Sequence, residues 1–553
     1  MVALERVLEN AQSQYCPSDN KFTCILSAKM SSPAPKSPEL SDKSKKYDRQ
    51  IRLWGEHGQT LLEAATVCLV NVTAVGCETA KGLVLPGIGG FTVADGSTVK
   101  EEDLGNNFFL DASYIGKSKA LACKQLLQEL NPDVNGDYVD ESVDYLLENR
   151  PNFFDSFDLV IASNLNEKTL LLLSNRLWES NVPLLYCRSL GMMGTIRLQI
   201  REHCIVEAHP DNPQFDLRLA QPFHALQEHL NSTEVTSKVP WLLVLYKYLR
   251  IWQKEQPDGH KTPNNYKEKN QLREVIRKEM KADEENHEEA IKAVNTAFGA
   301  GTVPSALKAI FEDEACELLT KKSNIFWIMA KALKSFLIHD NNGNLPLPGV
   351  LPDMTANTDS YIALQNIYRQ QALQDADQVY HKCQDYLKQL SLPPDTIDER
   401  SVRLFCREAA GLTVMRGTRI AEEYERNSRL LPLMEENEVQ DNLTAYNFAL
   451  RAYERFLSEC GHIPGECTAE QDIGRLKTIA GKMLGDLGTH ATISDDVLHE
   501  ISRYGGAELH AVSAFIGGCA AQEVIKIVTK QYKPIDNTFI YNAVSTESVT
   551  LKL

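Results

Sequence analysis

Between residue 45 and about 212, short apolar runs alternate with runs spaced for a helix. Val67–Val70 is uninterrupted and apolar, the mark of a strand buried on both faces. A loop follows, then a helix ending near Leu85, the turn Pro86-Gly87-Ile88-Gly89-Gly90 and a strand at Phe91–Ala94. The spacing predicts a helix over Lys117–Leu130, closed by Asn131-Pro132, because the residue before a proline is pushed out of the helical region. Further strands are predicted at Asp158–Ala162, Pro183–Cys187 and Thr195–Ile200, with a helix at Lys168–Glu179. Strand and helix in this rhythm predict a mainly parallel sheet covered on both faces.

From about 213 to 484 the strand pattern stops and helical faces take over. One is Trp241, Leu245, Tyr248, Leu249 and Trp252; another is Leu443, Tyr446, Leu450, Tyr453 and Leu457; a third is Ile473, Leu476, Ala480, Met483 and Leu487. The acidic run Asp283-Glu284-Glu285 with Glu288-Glu289 reads as a solvated helix face, with a docking role as the alternative. The segment GNLPLPGVLPDM at 343–354 has three prolines among Leu, Val and Met, which hold it extended without internal hydrogen bonds. It is expected to be exposed, either as a partner-docking loop or as a connector.

After 485 the α/β pattern returns. Ser494 is the predicted N-cap of a helix running to Tyr504 and stopped by Gly505-Gly506. Ala511–Thr529 is apolar nearly all round, with Gly517, Gly518, Ala520 and Ala521 allowing close approach to a neighbouring element, so it is predicted to be buried. A strand at Thr538–Tyr541 closes the pattern. The expected layout is an extension at 1–44, an α/β domain at 45–212, a mainly helical insertion at 213–484, and a closing α/β segment at 485–553. The extension ends in SSPAPKSPELSDKSKK, a composition that buries too little apolar surface to order itself, and Met30 stands before it as an alternative start.

The length, 553 residues, predicts two or three domains. The net charge of -17 argues against nucleic acid, since neutralising phosphates needs a basic surface. It is compatible with a basic protein partner or with solubility alone. No apolar run of membrane-span length or signal-peptide core is present, so neither a membrane span nor secretion is expected. Thirteen irregularly placed cysteines, with no C-x-x-C pair, predict a reducing compartment without a zinc knuckle. The expected location is the cytoplasm, with the nucleus open.

A glycine-rich turn between first strand and first helix lets backbone amides approach a phosphate seated on the helix N-terminus. Here that turn is Asn71-Val72-Thr73-Ala74-Val75-Gly76. It keeps the last glycine, but side chains stand where close phosphate approach needs glycine. Asp95, ending the second strand, is where such folds place an acid for ribose hydroxyls. Gly116-Lys117-Ser118 imitates the end of a Walker loop but has Asp111 where the first glycine is required, so it is rejected.

Tyr47-Asp48-Arg49-Gln50 with Ile51-Arg52-Leu53-Trp54-Gly55 resembles the opening of the activating enzymes for ubiquitin and ubiquitin-like modifiers. Leu85-Pro86-Gly87-Ile88-Gly89, Ala514-Phe515-Ile516-Gly517-Gly518, Ala520 to Lys526 and Pro534-Ile535-Asp536-Asn537 resemble the same family. The resemblance runs from about residue 45 to the C-terminus. With the long insertion and Asn106-Asn107-Phe108-Phe109, it points to the regulatory halves of the heterodimeric members that act in neddylation. The corresponding half of the SUMO-activating enzymes is the alternative. The implied fold is a Rossmann-like adenylation domain carrying a large helical insertion.

The departures from the family pattern carry as much. Active members have G-x-G-G-x-G where this chain has Asn71 to Gly76. Their Asn-Arg-Gln-Phe segment is Gly105-Asn106-Asn107-Phe108 here, without the arginine, and their magnesium-binding Asp-Asn pair is Ser163-Asn164, without the carboxylate. Asp95 and Lys119 match ribose and phosphate positions. The resemblance therefore implies a chain that binds no cofactor productively, beside a catalytic partner subunit that binds ATP, magnesium and the modifier. The family's thioester cysteine precedes threonine; Cys467-Thr468 is such a pair but follows Gly465-Glu466, outside the expected context. Arg49 matches an arginine that reaches the partner's nucleotide, with a local ion pair to Asp48 or Glu56 as the alternative. Leu351, Asp353, Met354 and Tyr361 are the expected partner contacts. Two other classes stay open: a self-sufficient adenylating or NAD-linked enzyme with an unusual loop, and a non-catalytic binding scaffold.

Overall fold

The computed structural model describes residues 45–211, 215–256, 262–280, 284–298, 303–341, 343–426, 428–435, 443–466, 469–489 and 491–553. The expected extension at 1–44, Asp283 and the pair Cys467-Thr468 lie outside these. Two compact units divide the chain at Asp48 and Arg49, and of the first only residues 45–48 are described. Everything below concerns the second.

The first described helix is α1 (Asp48–Ala64). Then come β1 (Thr66–Val70), α2 (Ala74–Val84), β2 (Gly90–Ala94), α3 (Lys119–Leu130), β3 (Asn135–Val139), α4 (Val143–Asn149), β4 (Leu159–Ser163) and α5 (Glu167–Ser180). β5 (Leu184–Leu190), β6 (Met193–Gln199), β9 (Thr538–Asn542) and β10 (Glu547–Leu551) complete an eight-stranded sheet ordered β10-β9-β6-β5-β4-β1-β2-β3. From β3 to β5 all pairings are parallel, and from β5 to β10 all are antiparallel. The parallel half has the doubly wound order 3-2-1-4-5, whose strand order reverses between β1 and β4. That reversal opens a crevice at the carboxyl ends of β1 and β4, where the 71–76 turn and Ser163-Asn164 sit.

The predicted strands at Val67, Phe91, Asp158, Pro183, Thr195 and Thr538 are all present within a residue or two, except that the one expected to end at Cys187 runs on to Leu190. β3 and β10 were not predicted. Both are sheet edges, largely exposed, and their sequences NGDYV and ESVTL lack an apolar run because one side meets water. The helix expected from Lys117 begins at Lys119, since Ser118 caps it by accepting from the Leu121 amide at 3.3 Å.

The expected strand-free stretch after 213 holds one exception: β8 (Thr413–Met415) pairs with β7 (His203–Ile205) in a two-stranded ribbon. Otherwise helices dominate, among them α6 (Trp241–Lys254), α7 (Ile325–His339), α8 (Thr358–Gln389), α9 (Glu399–Arg407), α10 (Leu443–Cys460) and α11 (Ala469–Leu487). All five residues of the first predicted face are buried on α6. In the acidic run, Glu285 and Glu288 are exposed, while Glu289 accepts from the amide and hydroxyl of Thr355 at 3.0 and 2.7 Å. Helices α10 and α11 pack back on the sheet, sharing a core with Leu190, Met193 and Ile540.

His203 on β7 is buried with no hydrogen-bond partner for Nε2 among the described residues, and burial pushes its pKa down to about 4, with Lys530 adding to the effect. The unfolded chain takes up this proton near pH 6.5 and the folded chain only near 4. The unfolded state therefore binds more protons between those values, and stability falls as pH drops from about 6.5 to about 4. The expected contribution is about 3 kcal/mol. Urea denaturation at stepped pH should show a shallower acid loss in His203→Leu than in the parent chain; parallel curves would contradict the assignment.

After α12 (Asp495–Tyr504), capped by Ser494 and stopped by Gly505 at φ 55°, comes α13 (His510–Thr529). Its glycines work as expected on one side. A Cβ on Gly517 would come within 2.6 Å of Glu78 Cβ, and one on Gly82 within 2.6 Å of Ala521 Cβ, so α2 and α13 touch backbone to backbone. On the other side the expectation of full burial fails. Phe515 is 45% exposed, Ala511 and Gly518 are also exposed, and Cys519 is only partly covered. α13 is long and apolar enough to cross a membrane by length and composition, but half of it is buried in the fold.

Candidate functional site

Asn71, at φ 67°, ends β1 in a left-handed turn that its own side chain secures. Its Nδ2 donates to the carbonyls of Ser163 at 2.9 Å and Asn164 at 3.3 Å, tying the two strand ends together. Thr73 caps α2, its hydroxyl accepting from the Gly76 amide at 3.0 Å and lying 2.7 Å from Ser163 Oγ. Gly76 is needed for packing: a Cβ there would stand 3.1–3.2 Å from Leu69, Thr73 and Ser163 side chains. Val72, Ala74 and Val75 are buried.

The next two amides of the helix would face a phosphate in a working site. Here the Ala74 amide donates to Glu508 Oε2 at 2.8 Å and the Val75 amide to Oε1 at 3.3 Å. The chain thus supplies its own anion, a carboxylate laid across a helix N-terminus and favoured there by the helix dipole. Burial raises the Glu508 pKa, opposed by these two amides and by the Lys119 charge. Gly505 and Gly506, both at positive φ, turn the chain after α12, and the Gly191 amide bonds the Ala507 carbonyl at 2.7 Å, which fixes Glu508 in place.

The two remnants of a nucleotide site are also spoken for. Asp95 Oδ2 accepts from the Val72 amide at 2.8 Å, and Oδ1 from the amide and hydroxyl of Ser97 at 2.8 and 2.6 Å. Lys119 Nζ pairs with Asp103 Oδ1 at 2.7 Å, both side chains under a fifth exposed. Above them lies an open cleft of about 390 Å³, lined by Asn71, Asp95, Lys119, Asn164 and Thr169 among others. The phosphate end of the turn is taken by a carboxylate of the chain itself. Glu508→Ala strands two amide donors at a helix start, an expected loss of about 1 kcal/mol; an unchanged urea midpoint would contradict the cap.

Arg49 is exposed and has no ion pair among the described residues of its unit, Glu56 included. The helix carrying it breaks at Gly55, at φ 70° and ψ 168°. Carbonyls released by the break are taken up from beyond α13: Gln531 Nε2 donates to Trp54 O at 2.8 Å and Tyr532 Oη to Leu53 O at 3.3 Å. The kink thus holds the Arg49 segment in a set direction.

The sequence profile of the ThiF family matches residues 47–553. Over 524 residues the chain is 87% identical to the Nedd8-activating enzyme E1 regulatory subunit of Drosophila melanogaster, covering 95% of this chain and 100% of that one. Identity is 46% over 531 residues to the Xenopus laevis protein of that name, covering 92% and 99%. It is 37% over 530 residues to the Arabidopsis thaliana NEDD8-activating enzyme E1 regulatory subunit AXR1, covering 93% and 97%. The chain belongs to the ThiF family, among the NEDD8-activating enzyme E1 regulatory subunits. The matches to these E1 regulatory subunits run through the helical insertion, which settles the choice between the neddylation and SUMO branches.

For this family member, the 343–354 segment departs from its expected exposure. Leu345, Leu347 and Leu351 are buried, Leu347 and Leu351 in a core with Leu364 and Tyr368. Met354 packs against that core, and Tyr361 is partly buried with its hydroxyl 3.4 Å from the Pro352 carbonyl. Leu351 is therefore an internal side chain, and a charge placed there would test folding; Asp353 alone of the four is exposed. An extended proline-rich strand hides its leucines by docking on helices, which composition alone does not reveal.

The described cysteines give no sign of a nucleophile. All ten are free, and burial pushes the thiols of Cys68 and Cys187 up, the latter to about 12. Glu508 had no sequence signal, since it meets Ala74 from 434 residues away.

Proposed function

We propose that this chain is the regulatory half of a heterodimeric NEDD8-activating enzyme, incomplete alone. The observation that carries this reading is Glu508 seated on the Ala74 and Val75 amides, which fills the phosphate position, while Arg49 is exposed with no ion pair among the described residues of its unit. In this reading a catalytic subunit binds ATP, magnesium and the modifier's C-terminal glycine. It forms the acyl-adenylate and moves the acyl group to its own cysteine. This chain completes the dimer and offers Arg49 to the nucleotide in the other half. A guanidinium presents a planar fork of donors, which suits the oxygens of departing pyrophosphate as their charge grows. We place the pair in the cytoplasm, with the nucleus open; free thiols at all ten described cysteines are in keeping with a reducing compartment.

The partner surface in this reading is the uncovered side of α13. Phe108 is 81% exposed and lies 6.4 Å from the His510 ring; Phe515, at 45%, lies 4.5 Å from Tyr541, and Leu509 is 45% exposed. Exposed aromatics grouped beside small residues are what a protein interface buries. Phe515→Glu should abolish co-elution with the catalytic subunit on size exclusion while leaving the urea midpoint unchanged. Full co-elution of the variant would remove α13 from the interface.

A further inference from the structure

One groove is used neither by the nucleotide-like cleft nor by the α13 face. It has a volume of about 790 Å³ and runs between α8, α9 and the second half of α1. Its floor is apolar, built from Leu61, Leu347, Pro348, Leu373 and Leu404, with Leu373 47% exposed. The floor explains what the extended 343–354 segment does: it buries its leucines beneath and presents Pro348 to the groove.

The rim carries four arginines, Arg369, Arg400, Arg403 and Arg407, against three carboxylates, Glu56, Glu207 and Asp398. On α9, Arg400, Arg403 and Arg407 share one face by helical spacing, while Val402, Phe405 and Cys406 are buried on the other. Arg369 of α8 faces them as a further lining residue. Arg403 pairs with Glu399, and Arg407 with Glu207 at 3.3 Å and Glu408 at 2.8 Å. Asp398 is occupied as the α9 cap, accepting from the Ser401 amide. Arg369 and Arg400 have no ion pair with any described residue; of the lining carboxylates, Glu56 and the capping Asp398 have none either, and Glu207 is paired. Arginine outnumbering acid over an apolar floor is an exception in a chain of net charge -17.

We propose that this groove docks an acidic, extended peptide segment of a partner protein, held by carboxylates on the arginines and by an apolar side chain on the floor. Seven helical residues rise about 10 Å, and an extended peptide advances about 3.3 Å per residue. Acidic residues two to four apart therefore meet both ends of the α9 row, with an apolar residue between them. Arginine suits this occupant because its fork binds carboxylates two bonds at a time. The floor separates it from a bare polyanion, which gains nothing from Leu373 or Pro348. The proposal stands apart from the role given to Arg49.

The test is fluorescence anisotropy with the full chain and a fluorescein-labelled peptide Gly-Ser-Glu-Leu-Asp-Glu-Leu-Gly-Ser. The expected result is saturable binding that weakens with salt. It should weaken about tenfold in the Arg369→Glu/Arg400→Glu double variant, and again when serines replace the peptide leucines. Circular dichroism melts confirm that the variant is folded, which is expected because neither arginine has an ion pair among the described residues to lose. Absence of binding, or equal binding by the double variant, would overturn the proposal. So would an oligouridylate that binds as tightly through the same arginines, because the apolar floor would then play no part.

Discussion

Arg49→Ala should slow modifier adenylation by the assembled two-subunit enzyme about a hundredfold or more, the scale seen when one donor to developing charge is removed. Assembly and urea stability should not change, since Arg49 is exposed and has no described ion pair to lose. The drop should fall on kcat and kcat/KM together, because the interaction strengthens only as pyrophosphate departs. Arg49→Lys should recover only part of the rate, since an ammonium cannot make the paired hydrogen bonds of a guanidinium. Pyrophosphate exchange under saturating ATP and modifier provides the measurement. An unaltered rate in Arg49→Ala would leave this chain a scaffold, with no hand in the chemistry.

The largest stability effect is expected at Glu454. On α10 and buried, it accepts from Tyr186 Oη at 2.7 Å and pairs with Arg188 at 3.1 Å, both on β5. Arg188 also donates to Asn447 Oδ1 at 2.9 Å, and Arg197 of β6 pairs with Glu423 at 2.5 Å. These bonds join the returning end of the helical insertion to the middle of the sheet. Burial raises the Glu454 pKa, and the Arg188 charge and the Tyr186 hydroxyl oppose it. Glu454→Ala leaves a buried guanidinium and a buried phenol without their shared acceptor, at a cost of about 3–5 kcal/mol. Glu454→Gln keeps an acceptor for Tyr186 and should lose less. A urea midpoint for the alanine variant within error of the parent would show that α10 is not held by this pair.

Several parts of the fold were legible because burial on both faces forces a plain signature. Val67–Val70 and Phe91–Ala94 could be placed because central parallel strands are apolar almost throughout, Thr92 being the one polar residue of the two runs. Ser494 and Gly505 bounded a helix because a cap hydroxyl and a left-handed glycine have few substitutes at those positions. Asn135–Val139 and Glu547–Leu551 escaped because an edge strand needs no apolar run. Leu351 was placed on the surface because prolines mark extension and say nothing of what lies beneath.

The site divides in the same way. Degeneration of the Asn71–Gly76 turn is a local property and could be read directly. What replaced the phosphate could not, because Glu508 arrives through the tertiary fold after two glycine turns. Asp95 and Lys119 showed as remnants in the sequence, and only the structure shows Ser97, the Val72 amide and Asp103 engaging them.

The most direct test of an incomplete half is ATP–pyrophosphate exchange by the purified chain, first alone and then mixed with the catalytic subunit and the modifier. The account predicts no exchange by the chain alone and full exchange on mixing. Exchange by the chain alone would mean that Glu508 leaves the helix N-terminus to a nucleotide, and the incomplete-half reading would be wrong.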